Sequence, residues 1–333
     1  MSGPLLPNPR GPASEALISY MTGNSAALSS DLADPTDEED LQLALYVSYE
    51  LHYRSFEDVG EAFEWDPEVL RFRRRLESAF SERLDAMVHT GACQPEDVGA
   101  TLFDLAEADG GPSLARHLEL RGTIEEVREF IIHRSAYQLK EADPHTWGIP
   151  RLGGAAKSAM VEIQADEYGS GRPERMHSAL FAKAMDAVGL DSTYGAYIDR
   201  LPATTLATVN AISLFGLHRR WRGALVGHLA MFEITSAVPN RRYGTALRRL
   251  GFGIEATDFF DEHVEADSVH ENVAAYDLAQ GLALAEPALT PDVLFGARVV
   301  LALDAAMAVP ILAAWDTGQS SLLPSATEPL VPA

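Results

Sequence analysis

Apolar residues return every three or four positions along most of this chain, and that spacing restricts it to packed helices. Residues 40–52 carry Leu41, Leu45, Tyr49 and Leu51. Residues 67–88 line up Leu70, Leu76, Phe80, Leu84 and Met87 on one stripe, with charges opposite. Both patterns are those of amphipathic helices. A third helix is expected over 94–108 and a fourth over 123–141, the latter opened by Thr123 and Glu126 in capping-box spacing. The pattern breaks at DPHTWGIPRLGG (143–154) and again at Gly169, Gly171 and Pro173. It resumes over 155–168, 174–188, 204–218, 223–235, 258–284 and 290–315. Alternating strand patterns, internal repeats and glycine-rich phosphate loops are essentially missing. The prediction is an all-α protein. A mobile segment (1–12) precedes an N-terminal helical extension (13–120), a helical bundle (121–318) and a loop-like tail (319–333).

Charge and cysteine content limit the partners. Lys and Arg total 26 against 49 Asp and Glu, a formal charge of −23. Nucleic acid and anionic membranes both call for a basic surface, so neither is expected as a partner. No apolar run reads from sequence as a membrane span, and residues 1–10 lack the basic and apolar regions of a signal peptide. Cys93 is the only cysteine, which rules out an intrachain disulfide and points to a reducing, cytoplasmic setting.

Most acids should be solvated, but some stand on helices that otherwise read as core. His263, Asp267 and His270 fall within about 60° of one another on a helix. They belong to a seam that steps Phe260, His263, Asp267, His270, Ala274. Ionisable groups on a buried seam need partners or a metal, and imidazole with carboxylate suits iron, manganese or zinc. A solvated helix face is the competing reading. Glu174 and His177, three apart, form the unit that di-iron bundles use, although such pairs also occur by chance on surfaces. Glu233 sits in GALVGHLAMFEI, a stretch apolar nearly all round, where a carboxylate needs either a partner or a capping role. Glu167 is either a further ligand or an exposed helix-end acid. Together these residues make a plausible ligand set for two metal ions. His228 reads as a structural histidine. Glu129, His133, Tyr137 and Glu141 recur every four residues, as a substrate-facing stripe or as a polar face packed on a neighbour. Arg241 and Arg242 are expected in a loop after Pro239, facing a substrate carboxylate or balancing acids.

The blocks DEYGSGRPERMH (166–177), GHLAMFE (227–233) and HVEADSVH (263–270), in this order and separation, resemble the haem-oxygenase-like di-iron oxidases, the iron-containing redox enzymes. The resemblance covers about 123–310. It implies a haem-oxygenase-like bundle holding two iron ions, with dioxygen as co-substrate. The motif positions carry over as Glu174, His177, Glu233, His263, Asp267 and His270. The Glu167 position resembles an extra carboxylate of the N-oxygenating branch. ELHYRSF (50–56) is similar to the N-terminal extension of longer members, which often pair as dimers, so a homodimer through those helices is expected. The implied activity is oxidation of a small amine, amino acid or fatty acid by N-oxygenation, desaturation or C–C cleavage, in a specialised biosynthetic pathway. Two other readings compete: a thiaminase-like or cofactor-free enzyme of the same fold, and a non-enzymatic acidic metal-binding protein with outward ligands and no enclosed cavity.

Overall fold

A computed structural model describes residues 3–28, 37–89 and 91–324, apart from the side chains of 266–269. Among the described residues there is no strand. The helices run α1 (Pro12–Met21), α2 (Glu38–Glu50), α3 (Pro67–Met87), α4 (Val98–Ala108), α5 (Leu114–Arg121), α6 (Ile124–Gln138) and the one-turn α7 (Asp143–Thr146). They continue as α8 (Gly154–Glu167), α9 (His177–Ala187), α10 (Ala203–Leu217), α11 (Arg222–Arg249), α12 (Ile254–Asn272), α13 (Gly281–Ala285) and α14 (Thr290–Asp316). Between α12 and α13 the chain stays helical but widens into a π-helix over Val273–Gln280.

Local chemistry sets the helix starts. Asp37 and Asp66 accept backbone N–H groups at the first turns of α2 and α3, and Pro67 occupies a position where its missing N–H costs nothing. Thr123 and Glu126 close a reciprocal capping box on α6. Helices α1 and α5 carry no expectation above; each is short.

Helix α2 is buried nearly all round, with Leu41, Leu43, Ala44, Leu45 and Val47 at 0% exposure. It packs against α10, so the N-terminal helices and the bundle share one core: Leu17, Leu45 and Phe80 join Ile212, Phe215 and Val299. An ion pair crosses that interface. Lys140 Nζ lies 2.8 Å from Glu50 Oε2, with both side chains fully buried. Tyr194 donates to the other Glu50 oxygen at 2.7 Å. Residues 3–11 have no regular structure but are tied down: Arg10 donates to the Leu201 and Ile198 carbonyls at 2.7 and 2.8 Å.

The bundle centres on α11, which packs along both α12 and α14. Gly227 of α11 and Gly296 of α14 let two backbones meet. A Cβ on Gly227 would lie 1.8 Å from the Val293 carbonyl oxygen, and one on Gly296 would lie 1.9 Å from that of Ala224. The loop expected at Arg241 and Arg242 is instead helix, because α11 runs on through Pro239 to Arg249. An internal proline costs about 3 kcal/mol; the packing of α11 on two neighbours offsets that loss. The segment Pro287–Asp316, which contains α14, is by length and composition apolar enough to cross a membrane, with mean hydropathy 1.9. Its close approach to α11 is that of a core helix.

Candidate metal centre

Five elements converge on one buried point. Helix α8 ends on Glu167, because Gly169 turns the chain at φ 69° and a Cβ there would strike the Arg175–Met176 backbone at 2.7 Å. After the short turn through Pro173, α9 opens on His177. Helix α11 brings Glu233, and α12 brings His263 and His270 on one seam. Glu141 follows the end of α6, in the turn beside Lys140.

The donor atoms fall into two overlapping groups. Those of Glu141, Glu167, His177 and His263 all lie within 4.8 Å of one another, and so do those of Glu167, Glu233 and His270. Glu167 belongs to both. All six residues are buried. His177 Nδ1 is 2.8 Å from Glu167 Oε2, and His270 Nδ1 is 3.6 Å from Glu233 Oε2. These contacts lack hydrogen-bond alignment. Oε2 of Glu141, Glu167 and Glu233 and Nδ1 of His177 and His270 are all buried without a hydrogen-bond partner. So many polar atoms stripped of water and aimed at one another are costly unless a cation satisfies them.

The outer contacts orient the imidazoles for ligation. His263 Nδ1–H donates to the Phe259 carbonyl at 2.8 Å, leaving Nε2 to face Glu141 Oε1 at 3.6 Å. His270 Nε2–H donates to Asp166 Oδ2 at 3.0 Å, which turns Nδ1 towards Glu233. Tyr168 donates to Asp143 at 2.8 Å and is 2.9 Å from the Thr146 hydroxyl, pinning the end of α8 to α7.

Proton affinities carry the same signature. Burial, reinforced by Glu233, pushes the Glu167 carboxyl up to about 8. Burial raises Glu141 as well. Burial, with His263 beside it, takes His177 down to about 3. Burial also works to lower His270, but the carboxylates of Glu233 and Asp166 outweigh it and raise it to about 9. Without a metal the site therefore gathers protons to neutralise itself; a bound cation would displace them. Three carboxylates and three imidazoles with no thiolate fit iron, and that chemistry also accommodates manganese or zinc.

A cavity of about 480 Å³ opens onto the cluster. Glu141, Glu167, Glu233 and His263 of the cluster are among its lining. Phe130, Phe181, Phe232, Phe259 and Phe260 line its walls, and Asn240 and Arg242 also border it.

The structure thus brings together five of the residues singled out from sequence: Glu167, His177, Glu233, His263 and His270. Asp267 stands on α12 between the two histidines, but its side chain lies outside the described residues. Glu174 is a correction. Pro173 starts a separate 3-10 turn, α9 begins only at His177, and the two residues do not share a helix face. Glu174 is exposed and belongs to neither donor group. Its place in the first group is taken by Glu141, which was legible only as the last member of the stripe Glu129, His133, Tyr137, Glu141. The rest of that stripe is mostly structural. Glu129 accepts from Trp315 and Ser321, and His133 is 2.7 Å from the Thr205 hydroxyl. His228 makes its hydrogen bond with His145 at 3.2 Å, away from the donors.

The chain is similar to known proteins. Over 231 residues, 68% of this chain, it is 26% identical to a nitrosourea synthase from Streptomyces achromogenes subsp. streptozoticus. The match covers 49% of that protein, so the chain spans about half the length of the relative. The model of the iron-containing redox enzymes matches residues 128–305, a stretch holding every donor of both groups, and the chain belongs to that family of oxidoreductases.

Proposed function

We propose that this chain is a non-haem di-iron oxidase that uses dioxygen to oxidise a small organic substrate in a biosynthetic pathway. The observation that carries this reading is Glu167, shared between two donor groups as a bridging carboxylate would be. Glu141, His177 and His263 would hold one iron; Glu233 and His270, with Asp267 from the sequence pattern, would hold the other. Two ferrous ions held there would supply two of the electrons that dioxygen reduction needs, the substrate supplying the others.

The chain's own residues do the rest. The buried carboxylates balance the metal charge and accept it in place of protons. The phenylalanine walls keep water from the reacting centre and leave room for a substrate. Tyr137 lines the cavity and is buried near Glu141, Glu167 and Glu233; burial and those three carboxylates raise its hydroxyl pKa, so it remains a neutral hydrogen-bond donor at the rim of the cluster. Among N-oxygenation, desaturation and C–C cleavage of an amine, amino acid or fatty acid, the resemblance to a nitrosourea synthase favours oxidation at nitrogen. Buried donors and an adjoining cavity favour an enzyme over a storage protein, whose ligands would face outward. The same reading takes the working form as a cytoplasmic homodimer paired through the N-terminal helices; a single-chain mass by sedimentation equilibrium overturns the pairing.

Anaerobic titration with ferrous iron is expected to end at two ions per chain, and mixing with dioxygen to produce a visible chromophore. Saturation at one ion, or a mixture that stays colourless, overturns the di-iron reading.

A further inference from the structure

The cavity lining carries a pair of opposite charges that belongs to neither donor group. Arg134 projects from α6 and Asp304 from α14, and both line the cavity. Arg134 Nη1 is 3.8 Å from Asp304 Oδ1, beyond hydrogen-bond reach. Among the described residues neither side chain makes a hydrogen bond. Asp304 keeps 39% of its side-chain surface open, and burial, with Asp109 of the same cavity lining, raises its carboxyl pKa against the pull of Arg134. Arg242, the other cavity arginine, is engaged with Glu119 at 3.5 Å.

We infer that Arg134 and Asp304 read the head group of a zwitterionic substrate, an elongated α-amino acid with its carboxylate on Arg134 and its ammonium on Asp304. This rests on the cavity being the substrate site of the proposed oxidase. The pairing follows from charge. A net-neutral head satisfies both members of a net-neutral pair. A fatty acid would satisfy Arg134 while setting a second carboxylate against Asp304. A simple amine would satisfy Asp304 and leave Arg134 unmatched. Leaving a partly desolvated charge unpaired is the costly outcome in each case.

Arg134 stands on α6 and Glu141 just past the end of that helix, and both line the cavity. Phe130, Phe259 and Phe260 wall the cavity, so an apolar or weakly polar substrate chain fits there. Neither Arg134 nor Asp304 is a donor, so the head group lies apart from the reacting end. Its binding energy would position the far end of the side chain against the cluster.

Three probes with matched tails test the inference on the full chain, both metal-free and loaded anaerobically with ferrous iron: L-norleucine, hexanoate and n-pentylamine, each by calorimetric titration. Norleucine is expected to bind at least tenfold tighter than either of the others. Arg134→Gln should weaken norleucine and hexanoate at least tenfold. Asp304→Asn should weaken norleucine and pentylamine by a similar factor and spare hexanoate, with iron stoichiometry unchanged in both variants. Equal binding of hexanoate and norleucine overturns the inference, as does the absence of norleucine binding. The three-probe comparison on the unaltered chain decides the matter even if a variant fails to fold. A chain that discriminates among the probes yet takes up no iron keeps the head-group assignment and loses the oxidase reading.

Discussion

Glu141 and Glu174 are both acids near candidate motif residues, and the structure gives them opposite surroundings. Glu141 is 7% exposed, with one carboxylate oxygen lacking a hydrogen bond. Glu174 is at the surface, its carbonyl 3.4 Å from Lys183 Nζ. Glu141→Gln is expected to remove one of two bound irons, while Glu174→Gln keeps both; metal analysis after anaerobic loading and desalting reads the difference. The reverse result would restore Glu174 as the ligand. Asp166→Asn tests the outer contact: losing the His270 Nε2–H acceptor should weaken the second iron by about 10–100-fold. These residues also mark what sequence could show. A seam such as Phe260, His263, His270, Ala274 is legible because helical period alone puts those positions on one face. Glu141 lies past the last turn of its helix, where period no longer says where a side chain points. Sequence held no signal against Glu174: Pro173 favours a helix that starts there and runs on through His177, whereas Met176 is extended at ψ 134° and α9 starts after it.

Elements were legible where caps and period agreed, as with α3, α6 and α14, whose expected starts fall within a residue of those observed. Short helices such as α1 and α5 offer too few turns for a period to stand out. The fate of Pro239 was decided by packing that no local pattern encodes. The crossing of α11 and α14 was equally hidden, because a lone Gly227 or Gly296 in a helical stretch reads only as a mild destabiliser. In the fold each is where the other helix's backbone sits. Gly227→Ala or Gly296→Ala should therefore destabilise by about 3 kcal/mol, since the clash is with backbone and cannot be relieved by a rotamer change. The control is Gly253→Ala: Gly253 caps α12 with nothing within 4 Å of a built Cβ, and under about 1 kcal/mol is expected there. Thermal melts should separate the two classes by about 5 °C. Equal melting temperatures would mean that the two helices do not meet at these glycines.

Across the whole molecule, the net charge of −23 divides into solvated acids and a buried few whose protons a bound metal would displace. That division predicts how stability depends on pH. Burial holds His133 down to about 4 and His145 and His177 down to about 3, below the ordinary 6.5 of an unfolded chain. The unfolded state then binds more protons between those values, so this contribution is complete above pH 6.5 and is lost as pH falls towards 4. Glu167 at about 8 and His270 at about 9 work in the opposite sense in the metal-free chain. Each is raised above its unfolded value, so the stability it adds is lost as pH rises through those folded values. Metal-free protein should thus melt highest near pH 6–7 and lose stability on both sides. Iron changes only one side: ligation releases protons from Glu167 and His270, so its stabilising effect should grow as pH rises from 6 to 9. Melting temperatures measured anaerobically across that range, with and without ferrous iron, check both statements. A gap between the two curves that stays constant or narrows towards pH 9 would mean that iron does not take the place of those protons, and that Glu167 and His270 are not its ligands.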